Sequence, residues 1–168
     1  MHKIEKIKDI DVLDYYAQSA VLKHYEEATI KVGLWESERI VFTKNFPDRS
    51  KSILELGCGC GRIAFGLQRL GYSKIQATDY SPVLIEVAHK IAQKNQISAD
   101  LAVVDARAMP VNSASLDGII FGFNGLMQIP RRSSRLAALK EINRVLVPGG
   151  KFIFTSHDRG MPKWKKFW

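Results

Sequence analysis

The residues best suited to binding chemistry form a glycine-rich segment, Gly57-Cys58-Gly59-Cys60-Gly61, which follows a short apolar run at Ser52–Leu56. Three glycines in five residues permit a tight turn and let a ligand approach the backbone closely. A helical pattern of apolar residues begins at Ile63, so unpaired backbone N–H groups and the helix dipole would face that ligand. Such donors suit a carboxylate or a phosphate equally. The segment predicts an anion-binding loop, with a packed strand-to-helix turn as the alternative.

Two aspartates end the next two predicted strands. Asp79 lies 22 residues after Gly57, where a carboxylate can accept hydrogen bonds from both hydroxyls of a ribose. The alternative is a capping role at the helix that Ser81 and Pro82 begin. Asp105 is placed to accept from the amino group of an adenine, or simply to form a turn. The spacing therefore predicts a nucleoside-bearing ligand beside the glycine loop.

Other cofactor and metal sites fit the residues less well. A dinucleotide fingerprint would need glycine at position 62, which is Arg62, and the Gly-Lys-Ser/Thr of a P-loop is absent. Cys58 and Cys60 supply only two of the four ligands of a zinc site, and no Cys or His pattern nearby completes it, so no metal is predicted. Two cysteines so close together cannot staple a fold, which favours a reducing, cytoplasmic compartment.

Short apolar runs alternate with helical patterns along most of the chain. This alternation predicts an α/β fold with a doubly wound, mainly parallel sheet covered on both faces. Such sheets bind ligands beyond the carboxyl ends of their strands, which is where the glycine loop and both aspartates lie. The predicted strands are Ser52–Leu56, Lys74–Thr78, Ala99–Val104, Leu116–Phe121 and Lys151–Thr155.

Helices are predicted at both ends of this pattern. Residues 10–45 have helical periodicity, with a break at Gly33. Near the carboxyl end, a further helix is predicted to stop at Pro148-Gly149-Gly150. The apolar face of that helix is predicted to consist of Leu136, Leu139, Ile142 and Leu146.

The 168 residues suit one domain, and their charge is unevenly distributed. Lys and Arg number 25 against 17 Asp and Glu, and the whole excess of +8 lies in residues 126–168, which hold 10 basic and 2 acidic residues. A basic patch for nucleic acid is possible but not favoured, because no nucleic-acid module accompanies the charge. A solvated helix face with a basic end is preferred. No apolar run reaches the roughly 18 residues of a membrane span.

The glycine loop and the segments after it resemble the motifs of class I S-adenosylmethionine-dependent methyltransferases. Four stretches match in order: Glu55–Arg62, Ala77–Ser81, Asp105–Pro110 with Ser115–Asp117, and Leu146–Lys151. The resemblance covers about residues 50–156 and implies a Rossmann-like methyltransferase fold and S-adenosyl-L-methionine as cofactor. It says little about the acceptor of the methyl group, which we predict to be a small molecule. It divides the domain into an N-terminal helical lid at residues 1–46, a cofactor-binding core at 47–156 and a basic, aromatic tail at 157–168.

The resemblance also implies roles for the residues around the loop. The Gly57–Gly61 backbone would hold the methionine part of the cofactor, with Glu55 beneath it. Asp79 would bind the ribose, while Asp105 and the Ala106 amide would contact the adenine edge. Residues 123–128 would flank the acceptor. The implied cofactor-binding residues are Glu55, Gly57, Cys58, Gly59, Gly61, Asp79, Tyr80, Asp105, Ala106, Phe123 and Asn124.

Side chains are expected to do little of the chemistry. A sulfonium donor is already activated, so the protein chiefly aligns the reactants and excludes water. No catalytic residue is assigned, and the candidate bases, by residue type only, are His24, His89 and His157. Three tyrosines of the predicted lid would contact ligand or pack in the core: Tyr15, Tyr16 and Tyr25.

The chain departs from the family in one respect. The family's sheet usually has seven strands, the last two forming an antiparallel hairpin, whereas only 13 residues follow Thr155. The sheet is therefore predicted to lack this hairpin and to expose an edge that permits a homodimer. Three other functions stay open: an RNA or protein methyltransferase, favoured by the basic end; a catalytically silent cofactor-binding module, favoured by the missing hairpin; and a nicotinamide oxidoreductase, disfavoured by Arg62.

Overall fold

The computed structural model describes residues 7–157, which form a five-stranded sheet with helices on both faces. The strands are β1 (Ile53–Leu56), β2 (Ile75–Asp79), β3 (Asp100–Val103), β4 (Leu116–Phe121) and β5 (Leu146–Phe154). The helices are α1 (Asp9–Tyr16), α2 (Ser19–Glu27), α3 (Glu36–Asn45), α4 (Arg62–Arg69), α5 (Pro82–Lys94), α6 (Gly125–Gln128) and α7 (Arg132–Val145), with a π-helical turn at Ala28–Val32. None of these helices has the length and apolar character needed to cross a membrane.

The sheet is parallel throughout and has the order β3-β2-β1-β4-β5. β1 is the central strand, and its Glu55 is in register with Ala77 of β2 and Ile120 of β4. All four residues of β1 are buried, as expected for a parallel strand covered on both faces. Because the strand order reverses between β1 and β4, a crevice forms at their carboxyl ends, where such sheets bind ligands. The predicted doubly wound α/β fold is confirmed.

Two apolar clusters cover the two faces of the sheet. One contains Phe42, Phe65 and Ile91, and therefore joins α3, α4 and α5. The other contains Ile142 and Val145 of α7, packed with residues of β1 and β4. With both faces covered in this way, the strand ends and their loops are the parts of the sheet that remain available to a ligand.

Arg62, the first residue of α4, attaches the N-terminal helices to this core. Its guanidinium donates to both carboxylate oxygens of Glu38 in α3, at 2.6 Å each, and to the carbonyl oxygen of Gly33 at 2.9 Å. Glu38 also accepts from the Trp35 N–H at the start of α3. The Arg62 and Glu38 side chains are only 12% and 7% exposed. Gly33 has a φ of +65°, so the predicted break in the helical segment is confirmed and is held by this ion pair.

The boundary between α7 and β5 corrects the sequence prediction. α7 ends at Val145, and Leu146 is already the first residue of β5, which was predicted to begin at Lys151. Leu146 is therefore a strand residue and not part of the helix face. Pro148 lies inside β5, which is acceptable because an edge strand needs N–H donors on one side only. The register with β4 shifts at this point.

The buried face of α7 also differs from the predicted one. Ala138, Ile142 and Val145 are buried, whereas Leu136 and Leu139 are 50% and 38% exposed. Both sets recur at helical spacing, so periodicity alone does not separate them. An alanine contributes little to an apolar pattern, and the prediction therefore followed the leucines, of which two face outward.

β5 forms one edge of the sheet. In the part of the chain that the structure describes, no strand pairs with its outer side. A homodimer across this edge stays a prediction. The predicted basic, aromatic tail, with the exception of His157, lies outside the described residues.

Glu38→Ala is expected to destabilise the fold by about 3–5 kcal/mol, because it leaves the guanidinium of Arg62 buried without its carboxylate. Urea unfolding of the variant and the wild type measures this change. Glu36→Ala is the matched control, since Glu36 lies on the same helix and pairs with Arg39 at the surface. We expect little change for this control. An equal loss in both variants would contradict a buried, structural ion pair.

Glu55→Gln is expected to alter the pH dependence of stability. Glu55 is 2% exposed, and burial raises its pKa from 4.5 to about 8 despite a hydrogen bond from the Ala64 N–H. Between these pH values the folded protein keeps the proton, whereas the unfolded chain releases it. The contribution of Glu55 to stability is therefore full below the unfolded pKa and declines as pH rises through this window, by at most about 1.4 kcal/mol per pH unit.

Urea unfolding at about pH 5 and about pH 8 tests this effect, because the amide side chain of the Glu55→Gln variant does not titrate. We expect the variant to gain stability relative to the wild type at the higher pH. Glu86→Gln, on the exposed side of α5, should show no such gain. A difference between variant and wild type that stays constant with pH would show that Glu55 is ionised in the folded protein.

Candidate cofactor-binding site

A cleft opens at the carboxyl ends of β1 to β4, beneath α1. Its empty volume, open mouth included, is about 870 Å³. Seven of the eleven predicted cofactor-binding residues line it: Gly57, Gly59, Asp79, Tyr80, Asp105, Ala106 and Phe123. The topology therefore brings together groups that lie up to 66 positions apart in the chain.

The glycine loop connects β1 to α4 and requires glycine at its ends. Gly57 has a φ of +63°, and a Cβ atom there would lie 2.7 Å from the ring of Phe121. Gly61 has a φ of +88°, and its Cβ would lie 2.5 Å from the ring of Phe65. Gly57 and Gly59 line the cleft, whereas Gly61 turns the chain into α4. Gly57 and Gly59 carry no side chain, which leaves the backbone at these positions accessible to a ligand.

Asp79, the last residue of β2, holds the glycine loop in place. One carboxylate oxygen accepts from the Gly59 N–H and the other from the Ser81 N–H, both at 2.8 Å. Both predicted roles are thus compatible: Asp79 supports the turn into α5 and also lines the cleft. Burial raises the pKa of this carboxyl, although these backbone N–H groups oppose the shift. Each oxygen retains a lone pair that can accept from a ribose hydroxyl.

Asp105 follows β3, the strand beside β2, and its carboxylate accepts hydrogen bonds from Arg107. Nε of Arg107 lies 2.9 Å from both carboxylate oxygens, and Nη2 lies 2.7 Å from one of them. Burial disfavours the ionised form, but the Arg107 hydrogen bonds outweigh it and hold the pKa of Asp105 below its usual range. The Arg107 guanidinium also lies 5.6 Å from the centre of the Tyr80 ring and donates to Asp9 of α1 at 2.8 Å.

Glu55 and the two cysteines are buried and do not line the cleft. Glu55 accepts from the Ala64 N–H at 2.8 Å and so supports the start of α4. Cys58 and Cys60 are free and buried, and burial raises the pKa of both thiols, that of Cys60 to about 12. Neutral thiols in these positions fill space in the loop. Within residues 7–157, no group of His, Cys, Asp and Glu is arranged to hold a metal ion.

Phe123 and Asn124 both follow β4, but of the two only Phe123 lines the cleft. Phe123 lines the cleft with a φ of +47°, and its ring has edge contacts with Tyr25 and Trp35 at centroid distances of 6.5 and 5.7 Å. Asn124 does not line the cleft; its N–H donates to the Thr155 hydroxyl at 3.0 Å. The structure therefore places the aromatic residue, and not the amide, in the lining of the cleft.

The three tyrosines of the N-terminal helices differ in whether they line the cleft. Tyr16 and Tyr25 line it, with ring centroids 5.6 Å apart, and the Tyr25 ring lies against Gly59. Burial raises the pKa of both hydroxyls, so they are neutral donors at ordinary pH. Tyr15 is 53% exposed and lies outside this cleft. None of the three candidate histidines lines it, so the described part of the chain offers no histidine base here.

The sequence pattern assigned no role to Asp9 or Arg107, which also line the cleft. The pairing of Arg107 with Asp105 could have been predicted, because the two opposite charges lie two residues apart in the chain. Asp9 had no such local signal, since it lies 98 positions from its partner. Their ion pair nevertheless holds α1 over the cleft, on the side where Tyr80 lies.

Comparisons with known proteins agree with this geometry. The sequence model of the methyltransferase domain family matches residues 53–150. A demethylmenaquinone methyltransferase from Lactococcus lactis is 36% identical over 111 residues, covering 63% of this chain and 42% of that protein. The chain spans about half the length of the curated relatives it matches.

Solved structures show the same fold. The [4+2]-cyclase SpnF superposes with a TM-score of 0.75 and 24% identity, covering 95% of this chain and 65% of that one. A SAM-dependent methyltransferase from Methanosarcina mazei gives a TM-score of 0.68 at 24% identity, covering 80% and 64%. The family match covers more than half of the chain and coincides with the cleft-forming segments. The chain therefore belongs to the methyltransferase domain family, the class I S-adenosyl-L-methionine-dependent methyltransferases, and S-adenosyl-L-methionine is its cofactor.

Proposed function

We propose that this protein transfers a methyl group from S-adenosyl-L-methionine to a small-molecule acceptor. The observation that carries the proposal is the common cleft, in which the glycine loop, Asp79 and Asp105 face one ligand-sized space. Each of these groups matches one part of the cofactor. The cofactor supplies a methyl group that is already activated on a sulfonium sulfur, so the reaction needs alignment more than side-chain chemistry.

The residues of the cleft divide the binding task among them. The Gly57 and Gly59 backbone accommodates the amino-acid part, because a side chain at Gly57 would clash with Phe121. Asp79 accepts from the ribose hydroxyls through the lone pairs that Gly59 and Ser81 leave available. Precise placement of the sugar is expected to follow, since the carboxylate is itself fixed by two backbone N–H groups.

The adenine end is the more crowded part of the site. Tyr80 and Ala106 line it, and the amino group of adenine would share the Asp105 carboxylate with Arg107. Arg107 already makes four hydrogen-bond contacts to this carboxylate, one of them from its backbone N–H, so the amino group of adenine must displace one of them. Arg107 contacts Tyr80, Asp105 and Asp9 together, and adenine binding therefore requires its guanidinium to adjust.

The acceptor must be reactive without a strong base from this cleft. Asp79 and Asp105 are occupied by hydrogen bonds, and Tyr16 and Tyr25 are neutral. An electron-rich aromatic acceptor, such as a reduced quinone, meets this requirement because its ring carbons and oxygens are already nucleophilic. The demethylmenaquinone methyltransferase to which the chain is similar supports this class. An aromatic lining of Phe123, Tyr16 and Tyr25 suits such a ring.

The charge distribution supports a small molecule over RNA. Arg144 pairs with Glu141 and donates to two backbone carbonyls, and Lys151 donates to the Asn45 carbonyl. These residues of the basic segment are therefore used within the fold and do not form an open phosphate-binding surface. We also propose a cytoplasmic location, which the free thiols of Cys58 and Cys60 support. We further propose a homodimer across the open edge of β5.

A second candidate function is cofactor binding without methyl transfer. The same fold occurs in a protein named as a [4+2]-cyclase, so the fold by itself does not determine the reaction. The chain also spans only about half the length of its curated relatives. Release of S-adenosylhomocysteine distinguishes the two functions, because only methyl transfer produces it.

Asp79→Asn is expected to weaken binding of S-adenosylhomocysteine by about 1–3 kcal/mol, because an amide cannot accept from both backbone N–H groups and the ribose hydroxyls. Calorimetric titration measures the affinity. Asp117→Asn is the matched control: Asp117 also accepts a backbone N–H, from Ser52, but lies at the opposite end of the sheet. Unchanged affinity in Asp79→Asn would refute the ribose assignment.

A turnover assay tests the proposed activity. Wild-type protein with S-adenosyl-L-methionine is expected to release S-adenosylhomocysteine when 1,4-dihydroxynaphthalene is added, and not with tRNA. Mass spectrometry of the naphthalene would show one added methyl group. Tight binding of S-adenosylhomocysteine with no turnover on a panel of phenols and quinols would favour the silent module, and binding of NAD in its place would overturn the cofactor assignment.

A further inference from the structure

A second cavity adjoins the cofactor cleft between α1 and the segment after α6. Its empty volume, open mouth included, is about 1,980 Å³. Five residues line both cavities: Val12, Tyr16, Gln128, Ile129 and Pro130. The two cavities therefore adjoin along these residues. The proposed cofactor contacts do not use this second space.

Two arginines give the second cavity a positive side. Arg135 donates through Nη1 to the Ile129 carbonyl oxygen at 2.8 Å, which holds the guanidinium against the wall and leaves its other N–H groups available. Arg131 lines the same cavity and is exposed. Neither has a carboxylate partner within residues 7–157. Two guanidinium groups therefore face the cavity with donors to spare.

The backbone at Arg131 is strained. It has φ and ψ of +64° and 141°, a region that glycine tolerates and other residues occupy at a cost of about 1–3 kcal/mol. Arg131 adopts this conformation where it lines the cavity, directly before α7.

The remaining wall is apolar or aromatic. Tyr15, Tyr16, Met127 and Ile129 belong to it, and Asp11 is the acidic residue among those that line it. The Asp11 carboxylate accepts from the Lys8 N–H at 2.7 Å and lies on α1, the helix opposite the arginines. The cavity has an apolar wall and more guanidinium groups than carboxylates, so it is complementary to an apolar molecule with an anionic group.

We infer that the second cavity binds the methyl acceptor and that this acceptor is an aromatic carboxylate, held through its carboxylate by Arg131 and Arg135. This inference rests on the proposed function and adds the substrate class. The carboxylate serves as an anchor and is not the methylated group. The ring lies on Tyr16 and Ile129, two of the residues that also line the cofactor cleft, so it is held beside that cleft. Arg131 is a specificity-determining residue in this arrangement.

Equilibrium binding of two matched probes tests the inference independently of turnover. The probes are 2-naphthoate and the neutral 2-naphthylmethanol, titrated calorimetrically into the protein with and without saturating S-adenosylhomocysteine. We expect 2-naphthoate to bind the wild type at least about tenfold more tightly, because hydrogen bonds to a charged group are the stronger ones. Arg131→Gln should remove this preference and leave the affinity for 2-naphthylmethanol and S-adenosylhomocysteine unchanged.

Arg132→Gln is the matched control, because Arg132 is the next residue, equally charged and exposed, and does not line the cavity. It should retain the preference for 2-naphthoate, and Arg131→Lys should retain part of it. Equal affinity of the wild type for both probes, absence of binding for both, or an equal loss in Arg131→Gln and Arg132→Gln would overturn the inference. Failure of S-adenosylhomocysteine to bind, with the 2-naphthoate preference intact, would instead contradict the proposed function and the acceptor role, and would support the carboxylate-binding cavity itself.

Discussion

The site depends on one interaction, the hydrogen bonds that the Asp79 carboxylate accepts from the Gly59 and Ser81 N–H groups. They join the glycine loop after β1 to the turn after β2, two segments that the parallel sheet brings side by side. A loop with three left-handed glycines has many alternative conformations, and a fixed carboxylate selects one of them. The same carboxylate lines the cleft, so under the proposed function one side chain both supports the loop and recognises the ligand.

Two ion pairs attach the N-terminal helices over this cleft, and they differ in character. The Arg62–Glu38 pair is buried and bidentate, and it fixes α3 to the start of α4. The Arg107–Asp9 pair is more exposed and reaches α1, which has no buried residue of its own. The base of the lid is therefore firmly attached, whereas its first helix is held by few contacts, which is suitable for a wall that a cofactor must pass.

Charge is used in two ways across the carboxyl-terminal half of the described chain. Arg144 and Lys151 satisfy carbonyl oxygens of neighbouring segments, and their contribution is structural. Arg131 and Arg135 differ, because they line a cavity that adjoins the cofactor cleft. Net charge therefore says little about the partner until each cation is assigned to a contact.

The sequence by itself determined the order of strands and helices, the glycine loop and the two aspartates, because alternating apolar runs, glycine conformation and strand-end positions are local signals. It did not determine which face of α7 is buried, since Ala138 and Leu139 suit the same periodicity. Nor did it place Asp9 against Arg107 or Arg131 beside a cavity. Such contacts join positions distant in the chain, and only the packing of α1 and α7 on the sheet decides which of the charged side chains meet.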